Sequence, residues 1–304
     1  MFSYFRLKLM LLSWLISPLL FAQDSGCAGV PGFIEKFGFN LQTTAISTDE
    51  TNVVGLCLVD VTKRYTYAQK PFQHETWDDA GYLATIVRNR DGSCYVIPVP
   101  VVNNLKNPAL LQNIIYKVDG QTGVMRKYIE LPAGDKNVPQ NPYGLLGLTN
   151  DCDNNFFYAA SVYHSDRANE RGVIYSLDIN TKEIIDKIEN IDAMGLQVWR
   201  NNGIKKLLIG KARSSDVYSV EISPNGKFVG QPKLEFTVNN LGPRGDDRVR
   251  KFKIDPSSGD LLVFGTEFYF NLIAPSKDQS STYRFRYDNK NQAWKFVGIE
   301  KSAY

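Results

Sequence analysis

One phrase recurs along this chain. It reads "IYKVDGQTGVMRKYIELP" from Ile115 and "IYSLDINTKEIIDKIEN" from Ile174. Looser copies are "VYSVEISPNGKFVGQPKLEF" from Val217 and "TYRFRYDNKNQAWKFVGIE" from Thr282. In each copy apolar and polar residues alternate: Tyr175, Leu177 and Ile179 against Ser176, Asp178 and Asn180, and Tyr283, Phe285 and Tyr287 against Arg284, Arg286 and Asp288. Period two marks a half-buried β-strand. Each strand runs into a turn rich in Asn, Asp, Gly or Pro ("DGQTG", "INTKE", "SPNGK", "DNKNQ") and then into a second strand, so each phrase is a β-hairpin.

The text ahead of each phrase repeats as well. "YLATIVRNRDGSCYVIPVPV" from Tyr82, "GLLGLTNDCDNNFFYAASVY" from Gly144, "GLQVWRNNGIKKLLIGKARS" from Gly195 and "VRKFKIDPSSGDLLVFGTEF" from Val249 each read strand, polar turn, strand. The full unit is four antiparallel strands in about 50 residues, the size of a β-propeller blade. Four clear units span roughly 81–132, 141–190, 191–240 and 246–301. A lone four-stranded sheet leaves its faces uncovered, whereas blades stacked around an axis cover one another and protect most strand edges. An irregular fifth unit lies in "TTAISTDETNVVGLCLVDVTKRYTYAQKPF" and lacks a fourth strand before "HETWDD". The expectation is an all-β propeller with five legible units. A sixth, completed by strands from both termini, and a β-sandwich are the alternatives.

The ends and composition narrow the setting. Arg6 and Lys8 precede an apolar run from Leu9 to about Phe21, then Ala22. A short basic start, an apolar stretch and a small residue describe a signal peptide over 1–22, with cleavage near Ala22–Gln23. Residues 23–304 are then one domain, secreted or periplasmic, without a transmembrane segment. Lipid anchoring at Cys27 is the rival, weakened by Gln23 and Asp24 between the apolar run and the cysteine. The net charge of +3 is spread without a basic block, which argues against nucleic acid as a partner. Four cysteines in an exported chain point to disulfides. Cys94 and Cys152 follow equivalent turns of neighbouring units, so the expected pairs are Cys94–Cys152 and, by elimination, Cys27–Cys57.

With the Gly-containing first strand and the "hydrophobic-Tyr-x-hydrophobic-Asp" of "VYSVEISPNGK" and "IYSLDINTKE", the units resemble propellers of the NHL and regucalcin/gluconolactonase-like group. The resemblance rests on blade grammar and has no diagnostic motif. It implies a central channel and, in some members, a lactonase activity with one divalent cation held by Glu, Asn and Asp. A ligand Glu near the start of the mature chain has no counterpart here, and shared fold does not transfer function.

The residues themselves offer one sharp site. Just before each innermost strand stand Asp78 and Asp79, Asn141, Asp192, and Asp246 and Asp247. If they converge on the axis, their oxygens suit calcium or magnesium, and a cation there would polarise a carbonyl and activate water. The competing reading is turn formation and loop capping. His74 and His164 are not spaced as a pair, no Ser sits in a GxSxG elbow, and no phosphate loop is present, so catalytic residues are not identified. "YHSDRANERG" (163–172) reads as a solvated loop, and Phe268, Tyr269, Phe270 and Leu272 as core. The leading expectation is a ligand-binding or protein-interaction module. The alternative is a divalent-cation-dependent hydrolase.

Overall fold

The computed structural model describes residues 28–48, 50, 53–63, 70–99, 105–132, 141, 143–270 and 280–300. The signal-peptide segment and Cys27 lie outside them. A single helical turn, Phe33–Lys36, is followed by strands β1 (Thr44–Ser47) and β2 (Cys57–Asp60). Four runs of four strands follow. Blade I is β3 (Leu83–Arg88), β4 (Cys94–Pro98), β5 (Ile114–Val118) and β6 (Met125–Glu130). Blade II is β7 (Leu145–Asp151), β8 (Phe156–Ser161), β9 (Val173–Asp178) and β10 (Ile184–Glu189). Blade III is β11 (Ala193–Asn201), β12 (Ile204–Lys211), β13 (Asp216–Ile222) and β14 (Phe228–Thr237). Blade IV is β15 (Arg248–Ile254), β16 (Leu261–Thr266), β17 (Ser281–Asp288) and β18 (Ala293–Glu300). Within each blade the strands pair antiparallel in chain order, and β7, β11 and β15 lie side by side. This is a β-propeller with four complete blades.

Among the described residues the fifth unit is only a remnant. Strands β1 and β2 form a two-stranded sheet, extended by one bridge between Leu58 and Phe72. Beyond Phe72 the chain turns instead of pairing, with Trp77 N donating to His74 O and Gly81 N to Asp78 O. Aromatic packing drives that choice. Trp77 is fully buried against Phe33, Phe37 and Phe72, and its indole N–H donates to Gly123 O at 2.7 Å.

Apolar clusters fill the joints in sequence around the ring. The first joins Phe33, Leu58 and Trp77 to Val96 and Tyr116 of blade I. Next, Tyr95 and Ile97 of blade I meet Phe157 and Leu177 of blade II. Tyr158 and Ile174 of blade II then meet Leu207 and Ile209 of blade III. Finally, Trp199 and Leu208 of blade III meet Val263 and Tyr283 of blade IV. Alternation explains the arrangement: odd and even residues of a middle strand serve opposite joints. Strands β4 and β8 are therefore buried along their whole length, while β16 is buried only at every second residue. Among the described residues no apolar cluster joins blade IV to the β1–β2 sheet.

Backbone approach at the joints is equally specific. After a bulge in each innermost strand, Gly147 pairs with Ala160 in blade II and Gly195 with Gly210 in blade III. A Cβ at Gly147 would lie 2.8 Å from Met194 O, and one at Gly195 would lie 2.7 Å from Val249 O. These small pairs let the next innermost strand pack directly on top. At the same register, blade IV has Lys251 paired with Phe264.

The expected bridges Cys94–Cys152 and Cys27–Cys57 are corrected here. Cys57 and Cys94 are buried and stand outside any disulfide, while Cys152 is disulfide-bonded. Cys94 begins β4 and shares its face with Val96, which points toward Phe33 and Trp77. Only Tyr95 and Ile97 look toward blade II, where Cys152 resides. Equivalent turns come close, but the period-two alternation turns the Cys94 side chain away.

Candidate ligand cleft at the open joint

Loops that lead into the innermost strands and loops that join second to third strands share one face of the propeller. The Asp/Asn positions lie there, and Asn141, Asp192, Asp246 and Asp247 each have a local partner. Asn141 is buried. Its Nδ2 donates to Val162 O at 2.5 Å and its Oδ1 accepts from Tyr143 N at 2.9 Å. Asp192 is fully buried, accepting from Ser165 Oγ, from Gly172 N at 2.9 Å and from Arg213 Nε. Asp247, also fully buried, accepts from Tyr283 OH at 2.7 Å and faces Arg244 Nε at 3.1 Å. Asp246 is half-buried, its Oδ2 3.4 Å from Tyr269 OH, and Asp78 and Asp79 are exposed. Among the described residues no group of three or more His, Cys, Asp or Glu is placed to hold a metal ion.

The register that looked like a ligand ring thus ties loops to strands. Burial pushes the Asp192 carboxyl up from its ordinary range, ahead of the Ser165 and Arg213 hydrogen bonds that pull it down. Burial and then the Asp247 carboxylate push the Tyr283 phenol up, so it stays a donor. The 163–172 loop is pinned by the same network. Arg213 Nη2 donates to Asp166 O at 2.6 Å and Asn169 O at 2.8 Å, and Arg167 Nε donates to Phe270 O at 3.1 Å. Phe268 and Phe270 are buried beside Tyr143 and Met194, with Arg213 stacked 4.5 Å from the Phe270 ring centre, while Tyr269 is exposed. Leu272 lies outside the described residues. His74 packs against Phe37 and Trp77, its Nδ1 3.0 Å from Thr76 Oγ1, and His164 sits beside Tyr163.

The open joint is a different kind of place. Between the β1–β2 sheet, β3 and blade IV lies a cleft of about 1070 Å³. Its two walls differ. The N-terminal side contributes Leu41, Ile46, Val59 and Val61 together with Thr44 and Ser47. The blade IV side contributes Arg250, Lys251, Phe264 and Thr266, and β3 adds Thr85 and Arg88. Among the described lining residues Arg88, Arg250 and Lys251 are basic and Glu50 is acidic. Thr48 Oγ1 donates to Ala84 O at 3.1 Å, holding the N-terminal sheet against β3 at the edge of the space. The described lining includes neither histidine nor cysteine. Its chemistry is recognition by hydroxyls, cations and an apolar wall.

A scan against known protein families finds no match, and no curated protein matches the chain. Similar solved structures do exist. An exo-β-1,3-galactanase from Clostridium thermocellum is 12% identical over 83% of this chain and 58% of its own, with a TM-score of 0.45. A glucose dehydrogenase is 13% identical over 74% of this chain and 72% of its own, with a TM-score of 0.41. The β-propeller domain of the Trilobed protease from Pyrococcus furiosus is 12% identical over 80% and 61%, with a TM-score of 0.38. This chain spans less than two thirds of the galactanase and protease chains. At such identities the likeness speaks to none of these proteins' activities.

Sequence reasoning did not find the cleft. Its signal was present in "VRKFK" and "LLVFG", where Lys251 and Phe264 stand at the register of the small pairs. Reading it requires the bulge positions, which only strand pairing reveals.

Proposed function

We propose that the protein is an exported binding module that takes a ligand in the cleft between blade IV and the N-terminal sheet. The observation that carries this reading is the joint itself. Successive joints are packed with apolar side chains, and this one holds about 1070 Å³ lined by hydroxyls and charges. Ligand pockets commonly occupy ~300–1,000 Å³ and combine apolar walls with a few polar groups. The cation-dependent hydrolase implied by the regucalcin-like resemblance gains nothing from the geometry, because Asp192 and Asp247 already face arginines.

The test is a ligand screen by thermal unfolding on the wild type and on Thr85→Trp, which fills the cleft from β3. A ligand that binds only the folded state raises its apparent stability. The expected result is a saturable rise in the wild type and none in the folded Thr85→Trp protein. Equal rises in both would remove the cleft as the site.

A further inference from the structure

We infer that the ligand of this cleft is an acidic oligosaccharide, with its carboxylate or sulfate groups lying along Arg88, Lys251 and Lys253. This rests on the cleft being the binding site. The inference starts from the uncovered face of blade IV. On β15, Lys251 and Lys253 share that face and are about 7 Å apart along the strand. Across the sheet, Lys251 pairs with Phe264 and Lys253 with Leu262. In blades II and III the equivalent faces are covered by the next blade. Here both lysines are exposed, with Lys251 opening into the cleft and Lys253 continuing the row outside it.

The acidic groups of blade IV do not cancel this charge. Asp255, Asp260 and Glu300 engage Arg284 at 2.7, 3.2 and 2.5 Å, and Asp260 also engages Arg286 at 2.8 Å. Among the described residues neither Arg88, Lys251 nor Lys253 has an ion pair. Lys251 Nζ instead lies 6.0 Å from the centre of the Phe264 ring. Beside this row Thr85 offers a hydroxyl that can donate to and accept from sugar hydroxyls, and Val59 and Val61 across the cleft provide an apolar wall. Cations with a hydroxyl on one side and aliphatic surface on the other match a sugar chain bearing spaced anions. A row that leaves the cleft along an open sheet favours a chain over a single small anion. Phe264 is the one aromatic in the described lining, which leaves little platform for stacking nucleobases.

The experiment compares oligogalacturonate, a sulfated oligosaccharide and a neutral oligogalactoside of equal length, with a single-stranded oligonucleotide of matched charge as a further arm. Binding is measured by calorimetry at low and high salt, and the site is mapped by hydrogen exchange. The proteins are wild type, the triple variant Arg88→Gln, Lys251→Gln, Lys253→Gln, and Lys227→Gln on a distant turn of blade III. An acidic sugar should bind at least tenfold tighter than the neutral one and weaken at high salt. The triple variant should lose roughly tenfold, as three exposed charge contacts would supply, while Lys227→Gln should bind like the wild type. Carboxylated and sulfated sugars are separated by their own affinities. If the neutral sugar binds equally well and protects β1, β3 and β15, the cleft stands and the acidic ligand falls. If an acidic sugar protects another surface, both fall. Tighter binding of the oligonucleotide, or no binding of any sugar, overturns the inference.

Discussion

Blade III and blade IV are written in the same four-strand phrase, yet they end differently. In blade III the pair Gly195–Gly210 lies under β15 of the next blade, with no room for a side chain. In blade IV the same register holds Lys251 and Phe264, and the β15–β16 face behind them opens to the cleft. Strands β8 and β12 bury residues on both faces, while β16 alternates between buried and half-buried. The difference shows how a repeat can form most of a ring and leave one joint unfilled. Here the last copy carries large or charged residues at the register where blades II and III have small ones.

The comparison is open to direct attack by truncation. Phe157 is fully buried between blades I and II, and Phe157→Ala should cost about 3–5 kcal/mol in chemical denaturation. Phe264 is half-buried at the cleft, and Phe264→Ala should cost about 1 kcal/mol or less. Equal losses would mean that the open joint is as tightly packed as the others. The reverse substitution sharpens the same point. Gly195→Val drives a side chain into Val249 O and should cost about 1–3 kcal/mol. Lys251→Val, at the equivalent register, should stay within about 0.5 kcal/mol of the wild type.

Acid should separate the two regions by sign. Asp192, between blades II and III, has its carboxyl pushed up by burial. Its contribution is fully present below the unfolded value of about 3.9 and is lost as pH rises through the folded value. On blade IV, hydrogen bonds from Arg286 hold Asp260 below the ordinary range, and Ser257 and Arg284 do the same for Asp255. Their contribution is present above about pH 3.9 and is lost as pH falls toward the folded values. Hydrogen exchange from pH 6 to 3 should therefore show blade IV loosening in acid before the Asp192 loop. Replacing Arg284 and Arg286 with Gln should flatten that acid limb. The smallest effect is expected from cations. Calcium or magnesium should leave the unfolding midpoint where it is, because the buried carboxylates already face arginines. A saturable rise lost in Asp192→Asn would restore the cation site.

The repeat was readable because period-two alternation and turn chemistry are local. Tyr175, Leu177 and Ile179 announce a strand without reference to anything distant. The Asp/Asn register was equally visible, but its use was not. Asp192 could have met a cation or an arginine, and Arg213 lies in the loop between β12 and β13, 21 residues away in sequence. The cysteines show the same limit. Equivalent turns placed Cys94 and Cys152 in adjacent blades, while the face each side chain takes depends on register.

The amino-acid sequence by itself therefore determined the strands, their hairpins and the blade repeat, since each follows from spacing within about 50 residues. Only the tertiary structure decided which joint stays open. That outcome depends on which residues the N-terminal sheet, from the far end of the chain, sets across the cleft from Lys251 and Phe264, and no local pattern contains that.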